Sequence, residues 1–172
     1  MMAKEFFDLN PVVHITADAI GEPGQRVFYL QASQDDTLVT LVLEKEQVEA
    51  LALGVEQMLE ELEKRQPASA GEVPLISQYE LVLRNPIEPA FRVGQLGLGY
   101  DEDTDLLIVV AQELTDDPEE MSVARFWATR AQMKALSEHS MQVVQSGRPL
   151  CPLCNRPIDP EGHYCPRRNG HK

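Results

Sequence analysis

The alternation of apolar and polar positions changes period several times along the chain, and each change marks an element. Val12-Val13-His14-Ile15-Thr16 reads as a short strand, followed by a turn region holding Gly21, Pro23 and Gly24. RVFYLQAS (26–33) and DTLVTLVLE (36–44) are rich in β-branched and aromatic residues. A polar Gln-Asp-Asp turn separates them, which is the pattern of a hairpin. From Glu44 the period lengthens. Val48, Leu51, Ala52, Val55, Met58, Leu59 and Leu62 recur at the spacing of one helical face. Glu44, Glu46 and Glu49 suit the positive start of that helix, and Lys64 and Arg65 its negative end.

QPASAGEVP (66–74) has the composition of a linker, and LISQYELVLRNP (75–86) is predicted to add an extended segment. FRVGQLGLGYD (91–101), DLLIVVAQEL (105–114) and VARFWAT (123–129) then read as strands, and RAQMKALSEHSMQVVQ (130–145) as a helix. Strand, strand, strand, helix is therefore predicted twice. At a shift of 85 residues the stretch 45–51 falls on 130–136, and Gln47, Ala50 and Leu51 meet identical residues at Gln132, Ala135 and Leu136. The expected fold is α+β: duplicated βββα units, spanning about 10–66 and 90–146, form a mostly antiparallel sheet covered by two helices. Gly94, Gly97 and Gly99 would let the strand that carries them bend or bulge, curling the sheet toward a barrel. The alternative is an α+β sandwich whose halves only look alike.

Composition places this body in a class. The 172 residues are 43% hydrophobic and 25% charged, enough for one packed domain with a small appendage. No apolar run approaches the roughly 20 residues that span a bilayer, and MMAKEFFDLN lacks the apolar centre of a secretory signal, so no membrane association and a cytoplasmic location are expected. A net charge of −13 argues against a general nucleic-acid binder. The charge is unevenly spread, however. Residues 147–172 hold five basic groups (Arg148, Arg156, Arg167, Arg168 and Lys172) against Asp159 and Glu161, a balance of +3 that leaves −16 on residues 1–146. Such a tail can dock on its own acidic body or touch an anionic partner.

Within the body the chemical signals are weak. The glycines of VGQLGLGY precede a strand, whereas a dinucleotide loop must lead into a helix. Asp101, Asp103 and Asp105 have the opening spacing of a calcium loop, but its sixth and twelfth positions are Leu106 and Gln112, so an acidic hairpin turn is expected. His14, with Asp18 nearby, would serve acid–base chemistry only in a pocket, and a lone strand histidine reads as a core or edge residue. His139, on the second helix, has a weaker claim. Arg92, Arg125 and Arg130 would suit an anion if they converged with His14 between the two halves, the arrangement that an enzyme or ligand-binding protein for a phosphorylated small molecule requires. No catalytic residues are assigned.

The tail differs in kind. CPLCNRPIDPEGHYCPRRNGHK (151–172) collects all three cysteines and two of the four histidines. Cys151 and Cys154 have the C-x-x-C spacing that lets two thiolates of one tight turn grip a tetrahedral Zn²⁺. A redox pair would open a helix, which CPLCNRPIDP cannot propagate. Cys165 supplies a third thiolate, and the fourth ligand is His163 or His171. In extended backbone His163 and Cys165 share a side, whereas His171 is next to last. Three thiolates and a histidine make a structural zinc site.

The runs GRPLCPLCNRPIDPEGHYCPRRNG, FRVGQLGLGYDEDTD and RFWATRAQM resemble a bacterial family, domain of unknown function 3090, found mainly in actinobacteria. The resemblance covers essentially the whole chain. Its tail pattern falls position by position on Cys151, Cys154, His163 and Cys165 and stops short of His171, which implies a Cys3His site with His163 as ligand. Asn155 stands where the family has glycine, and Asn tolerates the left-handed conformation a zinc knuckle needs. The resemblance also implies neighbours, and so partners, of two kinds: a histidine-phosphatase-like protein and a phosphoinositide-kinase-like protein. The expected molecule is thus a body at 1–146 with a zinc-binding tail at 147–172, a non-enzymatic adaptor or binding protein. Nucleic-acid contact through the basic tail is a further alternative.

Overall fold

The computed structural model of the chain describes residues 4–22, 24–67, 76 and 78–146. In chain order the elements are β1 (Phe6–Leu9), β2 (His14–Ile20), β3 (Val27–Gln34), β4 (Thr37–Leu43), α1 (Lys45–Arg65), a 3-10 turn (Gln78–Leu81), β5 (Pro89–Asp101), β6 (Leu106–Glu113), a second 3-10 turn (Pro118–Glu120), β7 (Val123–Ala128) and α2 (Arg130–Ser146). Among the described residues the fold is α+β, with two helices and one seven-stranded sheet in the order β1-β7-β6-β5-β4-β3-β2. The ladder is open and mostly antiparallel. Only β4 with β5 and β1 with β7 run parallel.

The hairpin predicted from residues 26–44 is β3–β4, with Asp35 at φ 53° taking the left-handed position of the turn. Phe6–Leu9, for which the hydrophobic pattern gives no signal, is an added strand that pairs with the distant β7, Phe6 opposite Val123. The link from β1 to β2 touches both ends of the ladder. Val12 N–H donates to Trp127 O and Val13 N–H to Ser33 O, each at 2.8 Å.

Period-two alternation sorts the strands into two faces. Ile15, Ala17, Leu30, Ala32, Leu41, Val109 and Phe126 belong to one core with Val48, Leu51 and Val55 of α1 and Met133, Leu136 and Val144 of α2. Each large apolar side chain so buried contributes about 1.5–3 kcal/mol. The helices run in opposite senses: Ser137 Oγ donates to Ala52 O at 2.8 Å, and Arg130 reaches Gln66 O beyond the end of α1. A helix-interior glycine, Gly54, permits close approach to β5, since a Cβ there would lie 3.0 Å from Leu98 Cδ1. The expected bulge is in β5 at Gly94, where the register shifts between Val93 and Gln95, and a Cβ would meet the Leu114 backbone at 2.9 Å.

Three strands and a helix, β2-β3-β4-α1 and β5-β6-β7-α2, follow each other twice. Gln47 and Gln132 occupy the same position three residues after the caps Glu44 and Thr129. Each accepts from the cap backbone through its Oε1, at 2.8 and 2.9 Å. Each also donates through Nε2 to a distant backbone carbonyl, Gln47 to Val93 O of β5 and Gln132 to Val12 O on the link between β1 and β2.

Residues 78–86 are not the extended segment the pattern predicts. They form the first 3-10 turn and an irregular run that side chains of β2 and β3 hold in place of a ladder. Thr16 Oγ1 donates to Leu81 O at 2.6 Å. Gln31 accepts from Arg84 N–H at 2.7 Å and donates to Arg84 O at 2.9 Å. Backbone polar groups need partners, and here buried side chains supply them.

Candidate functional site

The predicted ligands Cys151, Cys154, His163 and Cys165 lie outside the described residues, as do His171 and the basic groups of the tail. Among the described residues no cluster of three or more His, Cys, Asp or Glu side chains is placed to hold a metal ion. The D-x-D-x-D stretch is the predicted hairpin turn. Thr104 caps Asp101, and Asp105 accepts from Tyr100 Oη at 2.7 Å and from Arg130 Nε at 2.9 Å. VGQLGLGY is internal to β5, so its glycines serve a strand.

His14 is 2% exposed. Its Nε2 lies 3.2 Å from Val82 O, and its buried Nδ1 has no partner. Burial, then the nearby Arg84 charge, hold its pKa below the ordinary histidine value, against the opposing pull of the Val82 hydrogen bond and Glu80. A cavity of about 50 Å³, lined by His14, Ile76, Glu80 and Gln132 among others, adjoins it. This is room for about one water, so His14 reads as a neutral histidine that pins the 78–86 segment to β2.

Asp18 pairs with His139 of α2, not with His14, at Oδ2–Nε2 3.0 Å. Burial raises the carboxyl pKa, but hydrogen bonds from His139 and Ala19 N–H outweigh it and leave the group below its ordinary value. The contact fastens α2 to the edge strand β2. Sequence proximity suggested the wrong histidine, because β2 and α2 meet only in the folded chain.

The three arginines are held by three different carboxylates. Arg92 pairs with Glu44 at 2.8 Å, Arg125 with Asp8 at 3.3 Å and Arg130 with Asp105 at 2.9 Å. Arg125 also stacks on Phe6, 4.9 Å from the ring centroid, and Asp8 accepts from Trp127 Nε1 at 2.7 Å. Each of these guanidinium groups has its own carboxylate, and none of the three lines the cavity beside His14.

The larger concavity lies between the helices. It encloses about 670 Å³, with half-buried Leu59, Ala131 and Met141 supplying apolar surface. Exposed Glu56, Glu60, Glu63 and Glu138 set its charge against Lys134 and Arg130, the latter already paired with Asp105. Ser137, which donates to Ala52 O, and Arg130, which donates to Gln66 O, both line the groove and join the two helices beside it. Sequence reasoning missed it. A run of glutamates on α1 reads as a solvated face until a second helix lies beside it. An apolar trough with an acidic rim is suited to holding a basic segment with a few apolar side chains.

No helix among the described residues is long and apolar enough to cross a membrane. No curated protein and no solved structure matches the chain. A family model described as protein of unknown function (DUF3090) matches residues 7–165. That span takes in β1 through α2 and ends on Cys165, and on this match the chain belongs to the DUF3090 family.

Proposed function

We propose that this chain is a non-enzymatic adaptor or binding protein whose C-terminal tail is organised by a structural Zn²⁺ on Cys151, Cys154, His163 and Cys165. The ligand spacing carries the reading: C-x-x-C and H-x-C, eight residues apart, supply a closed set of four donors. The family match runs through all four positions and stops before His171. A segment this short and proline-rich has no core of its own, so metal binding supplies the free energy that orders it. The zinc then fixes Arg148, Arg156, Arg167 and Arg168 as a basic surface for a partner. A histidine-phosphatase-like or phosphoinositide-kinase-like protein is the partner class the family resemblance implies. The separate pairing of Arg92, Arg125 and Arg130 favours this reading over chemistry on a phosphorylated small molecule.

The body, in the same reading, is an internal βββα duplication. Its support is the shared work of Gln47 and Gln132, the repeated element order, and the contact of Ala52 with Ser137, which are themselves 85 residues apart.

Affinity capture from the native cells, run in parallel with the full chain and with Cys154→Ser, tests the adaptor role. The expected result is a discrete partner protein retained by the full chain and lost from the variant. Equal recovery with both chains would contradict it.

A further inference from the structure

The groove between α1 and α2 has charge and apolar surface to spare, and its position relative to the chain end is informative. Its α2 wall runs up to Met141, and the helix ends at Ser146, five residues or about 7.5 Å further along the axis. Gly147 follows, a residue type that ends helices and lets the chain reverse, and Pro149 cannot extend one. The 26 residues beyond Ser146 begin beside the groove, with far more contour length than the return requires.

The two surfaces are complementary in composition. Glu56, Glu60, Glu63 and Glu138 stand exposed around the groove. The tail carries +3, while the rest of the chain carries −16. Leu150 and Leu153 flank Cys151 and match the apolar strip of Leu59 and Met141. Tethering matters as much as charge. A segment joined to its dock by a short link experiences an effective concentration in the millimolar range, so weak individual contacts suffice. A free basic peptide would need far higher intrinsic affinity for the same site.

We infer that the α1–α2 groove is the docking site of the chain's own basic tail, residues 147–172. In this state the arginines of the tail rest against Glu56, Glu60 and Glu63, and a partner must offer a more acidic surface to draw them away. The inference deepens the adaptor reading by giving the tail a resting place. Docking itself depends on charge and tether, not on the metal.

Photo-crosslinking of the full chain tests it. p-Benzoylphenylalanine in place of Glu60 is irradiated in dilute protein, and the attached peptides are identified by mass spectrometry. The expected products are intramolecular links to residues 147–172. Their yield should fall about tenfold with Arg167→Glu/Arg168→Glu and in 1 M salt, where the Debye length shrinks to about 3 Å. That double variant lies outside the body, so a loss cannot be ascribed to an unfolded groove. Links confined to the body, links between two chains, or tail links insensitive to charge reversal would each overturn the proposal. Repeating the irradiation with Cys154→Ser separates the two readings. Persistent tail links keep the docking site whatever the metal content, and their absence in a zinc-loaded chain removes the docking site alone.

Discussion

His14 shows how one buried side chain ties pH to stability. Its Nε2 meets Val82 O, its Nδ1 is buried without a partner, and burial depresses its pKa below 6.5. The unfolded chain takes up a proton near pH 6.5 that the folded chain still refuses. Stability from the neutral ring is therefore complete above that pH, and is lost as pH falls from 6.5 toward the lower folded-state value. His14→Gln, which cannot titrate, should flatten the dependence of the urea midpoint on pH in that window. An unchanged slope would place the acid sensitivity elsewhere. Asp18 acts in a different window. Its pKa is depressed from 3.8, so its contribution is present above 3.8 and disappears only as pH drops through the folded value. The two groups can thus be distinguished by the pH at which each variant departs from the parent chain.

At the scale of elements, the matched glutamines join each helix to backbone outside its own run of three strands and a helix. Gln47 caps α1 and holds Val93 O of β5, while Gln132 caps α2 and holds Val12 O on the link between β1 and β2. Each substitution to alanine removes a cap and a partly buried hydrogen bond, so Gln47→Ala and Gln132→Ala should each cost about 1–2 kcal/mol in denaturant unfolding. Similar losses from both would agree with their equivalent roles. A loss from one with none from the other would contradict it. The identity of these residues at a shift of 85 was legible in the sequence, but their bonds were not, because the acceptors lie 46 and 120 residues away. The β3–β4 hairpin and both long helices were legible for a different reason: their periodicity is local and uninterrupted. Phe6–Leu9 was not, since four residues carry too little pattern and its partner β7 is far away in sequence, with Phe6 opposite Val123. Residues 75–86 suggested an extended segment, yet Thr16, His14 and Gln31 meet the backbone of Leu81, Val82 and Arg84 from the side.

For the whole molecule, the sheet and the two helices lie among the described residues up to Ser146, and the proposed zinc ligands lie beyond them. The body has one continuous core, and its prominent arginines are each neutralised locally. The helix groove became visible only when α1 and α2 were set side by side, whereas the cysteine and histidine spacing of residues 151–165 is a local pattern that the sequence displays by itself. The family match spans both parts, from residue 7 to residue 165. Zinc on Cys151, Cys154, His163 and Cys165 is proposed to give the tail its order. Elemental analysis of the chain purified without chelator tests this most directly, beside Cys154→Ser, His163→Ala and His171→Ala. Stoichiometric zinc is expected in the parent chain and in His171→Ala, with loss from Cys154→Ser and His163→Ala. A parent chain without stoichiometric zinc, or zinc lost with His171 and kept without His163, would contradict it.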